Sequence, residues 1–339
     1  MAMAEVTVRG AGIFGLSIAW ACALRGARVR VIDPGGPGAG ASGGIVGALA
    51  PHVPENWNDK KAFQFESLVM AEPFWAGVEE TGGVRAGYDR TGRVQPIPDA
   101  PALDLARARA QTARDLWQGR FSWTVTEDPG PFAPPSPTGW YIFDTLTARI
   151  HPRRACAALA AALTARGVDI ATDGADEGVV IHATGAVGLK ELGRAGGAVK
   201  GQAALLRHDA GDAPQVFVDG LHIVPHADGT VAIGSTSERE YDDPTATDGQ
   251  LDALIDRARA LMPVLHGAEV VERWAGLRPR ARSRAPMLGA HPLHEGQFIA
   301  NGGFKIGFGL APLVGETMAD LLLGARDTIP PEFRQTAPN

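Results

Sequence analysis

The feature that most constrains the fold is a glycine loop between a short apolar run and a helical segment near the start of the chain. The loop is GAGIFG, residues 10–15, a G-x-G-x-x-G motif. The β-type run VTV, residues 6–8, precedes it, and the apolar periodicity of residues 16–24 predicts a helix after it. A second apolar run, residues 27–32, predicts another strand. This order predicts a βαβ unit at the start of an α/β domain.

Each glycine of the loop has a physical role in such a unit. Gly10 allows the tight turn, Gly12 lets the backbone approach a phosphate, and Gly15 lets the helix pack closely on the strand. The free N–H groups at the start of the helix favour an anion. Asp33 ends the second strand, where an acid that binds a ribose is expected. We interpret the unit as a dinucleotide site; the alternative is a glycine-rich turn in an ordinary α/β domain.

The bulk properties exclude several classes of protein. With 339 residues, 45% of them apolar, the chain is long enough for one large or two modest domains. The net charge of −6 is spread along the sequence, which argues against a nucleic-acid-binding surface. The longest apolar run, residues 13–24, is too short to span a membrane. No signal peptide is recognised at the N-terminus, so a cytoplasmic location is expected.

A long glycine-rich stretch, residues 34–52, follows Asp33 and reads PGGPGAGASGGIVGALAPH. Glycine at this density is typical of a linker. Apolar residues are interspersed here, and the stretch directly follows a nucleotide-binding unit. We therefore favour a backbone wrapped against a flat ligand, where side chains would collide.

The rest of the chain predicts a discontinuous organisation. Helices are predicted at 62–81, 100–119, 152–167, 248–262 and 310–323, and strands at 178–185, 200–207, 221–235, 273–279 and 298–300. The chain opens with βαβ and closes with a strand and a helix, with antiparallel strands between. This order predicts a nucleotide-binding domain made of residues 1–75, 145–195 and 275–339, and a substrate domain made of residues 76–144 and 196–274.

Several separate segments, in the same order, are similar to one known family. They read VRGAGIFGLSIAW, GASGGIVGALAPH, VVIHATGA, KGQAALL, LHIVPHADGTVAIGSTSE, WAGLRPRARSRAPMLG and NGGFKIGFGLAPLVGETMADLL. On these segments the chain resembles the FAD-dependent D-amino-acid oxidase superfamily, and within it the glycine oxidases of thiamine biosynthesis. The resemblance implies an α/β fold, in which a Rossmann-like FAD-binding domain of the glutathione-reductase type carries an inserted α+β substrate domain built on an antiparallel sheet.

The resemblance also implies which residues hold FAD. Ile13 and Phe14 would lie on the pyrophosphate and Asp33 on the adenosine ribose. Residues 41, 42 and 46–48 would lie beside the flavin, and residues 303–309 over its pyrimidine side. The implied cofactor-binding residues are Gly10, Gly12, Ile13, Phe14, Gly15, Asp33, Pro34, Ala41, Ser42, Val46, Gly47, Ala48, Gly185, Gly303, Phe304, Lys305, Ile306, Gly307, Phe308 and Gly309. Neither Cys22 nor Cys156 is near the expected ring, so FAD is predicted to be non-covalent.

Three residues are implied to contact the substrate. Arg278 matches the family's carboxylate-binding arginine, and a guanidinium is the strongest bidentate anchor for a carboxylate. Lys305 stands where relatives place a basic residue beside the flavin. His222 is a candidate hydrogen-bond donor behind the substrate. The alternatives are a surface arginine, a solvated loop lysine and a structural histidine.

Two departures from the family pattern are visible. Residues 167–178 are too few for the hairpin that contacts the adenine in the family, so that contact has no counterpart here. His222 also stands where relatives often place a tyrosine that touches the substrate carboxylate. The second departure leaves the identity of the substrate open.

The implied reaction is the FAD-dependent oxidative deamination of glycine, sarcosine or a small D-amino acid by molecular oxygen, giving the oxo acid, ammonia and hydrogen peroxide and feeding thiazole formation. A flavin that takes hydride from a neutral amine needs no catalytic side chain. The sequence shows no catalytic triad, and the histidines at 151, 208, 226, 266, 291 and 294 look scattered, so no metal is expected.

Two other functions stay open at this stage. One is a D-amino-acid or sarcosine dehydrogenase that passes electrons to a quinone or a partner protein. The other is the flavin domain of a tRNA-modification system, against which the acidic charge argues. We expect no nucleic-acid or membrane partner, and the sequence leaves open whether the chain forms a homo-oligomer.

Overall fold

The computed structural model describes residues 4–324 and 326–334, which form two large sheets, one two-stranded antiparallel sheet (residues 48–49 and 148–149) and seven α-helices. The helices are α1 (Ile13–Leu24), α2 (Asp59–Gly82), α3 (Ala100–Leu116), α4 (Pro152–Ala165), α5 (Gly185–Glu191), α6 (Gly249–Leu261) and α7 (Gly307–Leu322). Within the described residues, no helix combines the length and the apolar character that a membrane-spanning segment needs.

Sixteen strands complete the fold. They are β1 (Glu5–Arg9), β2 (Arg28–Ile32), β3 (Ala48–Leu49), β4 (Arg93–Pro96), β5 (Trp123–Thr126), β6 (Tyr141–Asp144), β7 (Ala148–Arg149), β8 (Asp169–Ala171), β9 (Val179–His182), β10 (Gly196–Arg207), β11 (Gln215–Val218), β12 (Leu221–His226), β13 (Thr230–Gly234), β14 (Val270–Ala281), β15 (Met287–Ala290) and β16 (Phe298–Asn301).

The first sheet has six strands in the order β15-β16-β9-β1-β2-β8. All neighbours are parallel except the antiparallel pair β15–β16. In β1 the buried Val6 and Val8 alternate with Thr7 and Arg9, so one face of the strand joins the main apolar core. Helix α1 is buried in that core and packs against α7 and α4. The predicted βαβ unit is confirmed, with α1 between the parallel strands β1 and β2.

The second sheet has eight strands in the order β14-β10-β13-β12-β11-β4-β6-β5. Its neighbours are antiparallel except for the parallel pair β11–β4. Helix α6 covers one face, where Leu251 and Ile255 join a separate apolar core with Leu206 and Ile223. The opposite face of this sheet points away from α6 and packs against other segments of the chain, among them residues 45–46.

Most predicted elements are present, with shifted ends. Helix α1 begins at Ile13 rather than at residue 16, and α7 begins at Gly307 rather than at residue 310. Both helices start inside glycine-containing segments, where apolar periodicity gives no signal. The run 221–235 is a hairpin, because a turn separates β12 from β13. The division into two domains stays a proposal, and β14 extends the second sheet to Ala281, beyond the predicted boundary at residue 275.

The glycine-rich stretch 34–52 is an ordered segment, not a linker. A Cβ on Gly43 would lie 2.2 Å from the Gly38 carbonyl oxygen, and one on Gly47 would lie 1.8 Å from the Ile150 carbonyl oxygen. At these two positions it is the chain's own backbone that requires glycine. A flat ligand, which the sequence suggested, is not needed to explain them.

Candidate functional site

The glycine loop between β1 and α1 is held by close backbone contacts. A Cβ on Gly10 would lie 2.3 Å from the Ala183 carbonyl oxygen, and Gly10 has a φ of 109° that disfavours other residues. A Cβ on Gly15 would lie 1.9 Å from the Gly10 carbonyl oxygen. Both glycines are therefore required by packing, as the βαβ motif predicts.

The start of α1 presents polar groups for an anion. The Ile13 N–H donates to Ser42 Oγ at 3.0 Å, so Ser42 lies directly at the helix N-terminus. Asp33 accepts from the Ala11 N–H at 2.7 Å and from the Gly35 N–H at 2.9 Å. The carboxylate thus links the glycine loop to the turn that follows β2. It lies beside the glycine motif, where a ribose hydroxyl is expected.

The segment 303–309 packs against the glycine loop. A Cβ on Gly303 would lie 2.9 Å from the Phe14 ring, and Gly307 faces both Ile13 and Phe14. Phe304 has a φ of 43°, which is uncommon for a residue with a side chain. The two segments that the resemblance assigns to the cofactor are therefore in direct contact, although they are far apart in the sequence.

The remaining predicted cofactor residues surround this contact. Ala41 and Ser42 form a short 3-10 helix with Gly43, and the Gly185 carbonyl accepts from Asn301 Nδ2 at 2.9 Å. Pro34 follows β2, Ile306 caps α7, and the first turn of α7 contains Gly307, Phe308 and Gly309. Their roles in binding stay predictions, while the structure fixes their positions.

The face of the second sheet opposite α6 carries a recess of small residues. Strand pairing sets Gly201 opposite Gly276 and Ala203 opposite Gly234. We call these four residues the glycine recess. Val46 of the glycine-rich stretch faces it, because a Cβ on Gly234 would lie 2.8 Å from Val46 Cγ2. Side chains cover the recess, with Trp274 over Gly276 and Val46 over Gly234, so the recess faces the segment expected to line the flavin.

Arg278 lies at one end of the glycine recess. It pairs with Val199 in the sheet, and its guanidinium covers Gly201, where a Cβ would lie 2.1 Å from Nη2. The guanidinium donates to Ser235 Oγ at 2.5 Å and to the carbonyl oxygens of Thr236 at 2.5 Å and Lys200 at 3.3 Å. Arg278 is buried, so the surface-arginine alternative is wrong.

The Arg278 guanidinium has no carboxylate within 4 Å among the described residues, and its Nε has no hydrogen-bond partner there. Burial lowers its pKa to about 10, with Glu238 opposing the shift, so it stays charged near neutral pH. A buried charge without a counter-ion is costly unless an anion approaches. Arg278 is therefore a candidate anion site, with no carboxylate in direct contact among the described residues.

Lys305 and Phe304 lie beside Arg278. Burial lowers the pKa of Lys305, and the nearby Arg278 charge lowers it further. The Lys305 ammonium lies 5.7 Å from the centre of the Phe304 ring, and the Arg278 guanidinium lies 5.8 Å from the same centre. The structure thus brings together the two cations that the resemblance assigned to the substrate, both near the Phe304 ring.

His222 lies opposite Gly234, at the other end of the recess. Burial lowers its pKa to about 3, and the charges of Arg93 and Lys305 contribute to the shift. The ring is therefore neutral near pH 7 and cannot serve as a cationic anchor. Its Nδ1 has no hydrogen-bond partner among the described residues, which leaves one ring nitrogen for a neutral hydrogen bond.

Sequence reasoning missed the residues that hold Arg278 in place. Ser235 and Thr236 follow β13 and direct the guanidinium through one hydroxyl and one carbonyl. Both lie in the GSTSE segment that carries the resemblance. Their role depends on the strand order, in which β10 separates β13 from β14, and no local sequence pattern encodes this order.

The histidines are less scattered than the sequence suggested. His182, His291 and His294 each offer a ring nitrogen, and these atoms lie within 4.8 Å of one another. However, His291 Nδ1 accepts the backbone N–H groups of Leu293 and His294 at 3.1 and 3.2 Å. Its other nitrogen then carries the proton and is not a ligand. The expectation of scattered histidines is therefore wrong for this cluster, but its present arrangement offers too few free nitrogens for a metal.

A buried histidine pair predicts acid sensitivity. The rings of His151 and His226 lie 4.7 Å apart, and burial, followed by His226, lowers the pKa of His151 to about 4. In the unfolded chain His151 binds a proton near pH 6.5, whereas in the folded chain it stays neutral down to about pH 4. The neutral His151 therefore contributes fully to stability above pH 6.5, and this contribution is lost as the pH falls toward 4. Over that range we expect this site to lower the free energy of unfolding by up to about 3 kcal/mol.

Urea unfolding of the holoenzyme at pH 7.5 and pH 5 measures this effect. In His151→Gln the loss of unfolding free energy between the two pH values should be clearly smaller than in the wild type. His208→Gln, at a histidine outside the pair, is the control and should retain the wild-type loss. An unchanged pH dependence in His151→Gln would show that the pair does not titrate as described.

Both cysteines are buried in helices. Burial raises the pKa of Cys22 and of Cys156 to about 12, so neither is a reactive thiolate near neutral pH. Their chemistry agrees with the prediction that no cysteine attaches the cofactor.

Comparison with known proteins gives a consistent result. The family model described as FAD dependent oxidoreductase (DAO) matches residues 5–321. A curated glycine oxidase of Pseudomonas aeruginosa is 29% identical over 96% of this chain and 97% of its own length. The bifunctional protein ThiO/ThiG of Synechocystis is 26% identical over 94% of this chain and 51% of its own length. The crystal structure of glycine oxidase from Geobacillus kaustophilus has a TM-score of 0.83 at 22% identity, covering 98% of this chain and 99% of that one.

Proposed function

The chain belongs to the FAD dependent oxidoreductase (DAO) family, and from that premise we propose that it oxidises glycine or a similarly small amino acid. The balanced reaction is glycine, water and oxygen giving glyoxylate, ammonia and hydrogen peroxide. When bound, FAD would supply the redox chemistry, that is, hydride acceptance from the substrate Cα and transfer of two electrons to oxygen. The protein contributes binding, orientation and electrostatics.

Arg278 carries this proposal. A buried guanidinium without a carboxylate partner matches the carboxylate of an amino acid, which would form the charge-assisted hydrogen bonds that the described residues do not supply. Its neutral partners Ser235 and Thr236 hold the planar group in one orientation without neutralising it. The substrate is therefore fixed at one end by the second sheet.

The residues present fit FAD. Gly10 and Gly15 have no room for a Cβ, so the backbone at the start of α1 is fixed close to an incoming phosphate. Asp33 lies beside this loop for the ribose, Gly303 packs against Phe14 of the loop, and Val46 packs against Gly234 of the glycine recess. The start of α1 would hold the pyrophosphate, and the residues predicted beside the flavin would hold the ring.

The other residues of the site divide the remaining roles. Lys305 adds positive charge beside Arg278, which favours a carboxylate and any negative charge that develops on the ring. Neutral His222 offers one hydrogen bond without attracting a second carboxylate. Orientation above the ring then accounts for the rate, because a neutral amine needs no side chain as a base.

We further propose that the imine product feeds thiazole formation in thiamine biosynthesis. The support is the resemblance of the sequence to glycine oxidases of that pathway and the similarity to the fused ThiO/ThiG protein. If the imine is passed on, loss of the gene should create a requirement for thiazole in the growth medium.

A substrate panel tests the proposed specificity. Glycine and sarcosine should give a higher kcat/KM than D-phenylalanine and D-arginine in a peroxide-coupled assay of the holoenzyme. An advantage of tenfold, about 1.4 kcal/mol, is the expected minimum. Turnover that favours the bulky D-amino acids by that factor would contradict the proposal. Reduction of an artificial dye without peroxide would identify a dehydrogenase instead.

A further inference from the structure

An open surface pocket of about 340 Å3 lies where the start of β10 pairs with the end of β14. Arginine dominates its lining, and the other lining residues, two glycines and an alanine, bring no polar side chain. We call this surface pocket the arginine pocket, and its arginines are Arg194, Arg239, Arg280, Arg282 and Arg284. Neither the proposed substrate site nor the cofactor site uses these five side chains.

The arginines of the pocket lack charge partners. Among residues 4–324 and 326–334, none of the five has a carboxylate within 4 Å or a side-chain hydrogen bond. Exposure alone does not explain this. Arg85 is 88% exposed and still pairs with Glu79 at 2.9 Å, and Arg207 is 66% exposed and pairs with Glu269 at 2.9 Å. The chain as a whole is acidic, so carboxylates are not scarce.

The backbone under the pocket is fixed. The Arg282 N–H donates to the Ala195 carbonyl at 2.8 Å, and the Arg284 N–H donates to the Ala281 carbonyl at 3.0 Å. The Arg280 guanidinium lies 5.6 Å from the centre of the Phe304 ring, which limits its freedom. The arginines are therefore gathered by structured elements, and bringing them together costs repulsion that an anion would offset.

We propose that the arginine pocket binds a small multivalent anion with phosphate groups or clustered carboxylates. Guanidinium forks match the oxygens of both groups bidentately, and several forks around one concave site favour a ligand with more than one negative charge. The volume suits a small molecule. The pocket borders the proposed substrate site, because Arg280 and Arg278 lie 5.6 and 5.8 Å from the centre of the same Phe304 ring, but neither Arg278 nor Lys305 lines it.

Titration of the FAD-loaded enzyme with pyrophosphate tests this inference by calorimetry, without reference to turnover. We expect saturable binding at one site per chain that weakens as salt is raised. The double variant Arg282→Gln/Arg284→Gln should weaken it at least tenfold. The matched control is Arg114→Gln/Arg120→Gln, which removes two exposed arginines outside the pocket, one in the last turn of α3 and one in the turn that follows it, and should leave binding unchanged.

A parallel titration with citrate separates the two ligand chemistries. Binding of both anions supports recognition of clustered charge, and binding of pyrophosphate alone supports recognition of phosphate. The inference is overturned by an absence of saturable binding, by equal weakening in both double variants, or by release of FAD during the titration, which would place the anion in the cofactor site. Binding of a poly-glutamate peptide without binding of either small anion would also overturn it, in favour of a macromolecular partner.

Discussion

Arg278→Ala should lower kcat/KM for glycine roughly 150-fold, while FAD stays bound. This factor corresponds to a loss of about 3 kcal/mol of transition-state stabilisation. The variant removes the buried guanidinium that has no carboxylate partner among the described residues, and with it the proposed anchor of the substrate carboxylate. The loss should fall largely on binding and orientation. Steady-state kinetics of the purified variant, with FAD content measured on the same sample, give the answer.

Two further variants test whether the loss comes from the guanidinium group at this site. Arg278→Lys should recover only part of the activity, because an ammonium cannot reproduce the planar fork. Arg259→Ala is the matched control, since Arg259 also donates to a carbonyl, that of Ala268, but lies away from the site. A near-normal kcat/KM in Arg278→Ala would mean that the carboxylate is held elsewhere, and Lys305 would become the leading anchor.

Gly15→Val should abolish FAD binding. A Cβ at this position would lie 1.9 Å from the Gly10 carbonyl oxygen and 3.0 Å from its carbon, and these are backbone atoms that cannot move aside without displacing the loop. The displaced loop would lose the alignment of the α1 N-terminus with the pyrophosphate. We expect the variant to be isolated colourless, or to unfold at a clearly lower temperature than the wild type.

A glycine replacement elsewhere controls for this variant. Gly77 lies within α2, and a Cβ there would meet no atom within 4 Å. Gly77→Ala should therefore retain FAD and gain about 0.5–1 kcal/mol in unfolding free energy, since alanine is the better helix former. The flavin content and thermal midpoint of both variants decide the matter. Full flavin content and wild-type stability in Gly15→Val would contradict the close packing described here.

Much of the nucleotide-binding unit was predictable because its determinants are local. The spacing of Gly10 and Gly15, the strand before them and Asp33 after them lie within about 30 residues, and each has a specific backbone role. The starts of α1 and α7 were placed too late, because their first turns contain glycine and carry no apolar periodicity.

The candidate site was less predictable because its geometry is long-range. Local sequence patterns could not place Ser235 under Arg278, since that contact depends on strand pairing across the second sheet. The same holds for the neutral state of His222, which follows from burial and from two neighbouring cations. The run Arg280, Arg282, Arg284 was visible in the sequence, but only the fold shows that these side chains line one pocket and have no charge partner in the described part of the chain.

Anaerobic mixing of the FAD-loaded enzyme with glycine tests the central claim most directly. We predict that the absorbance of oxidised flavin is lost at a rate that saturates with glycine concentration, and that Arg278→Ala raises the glycine concentration needed. Readmission of oxygen should then restore the absorbance and release one hydrogen peroxide per glycine consumed. Flavin that stays oxidised with both glycine and sarcosine, in a preparation with full FAD content, would contradict the account.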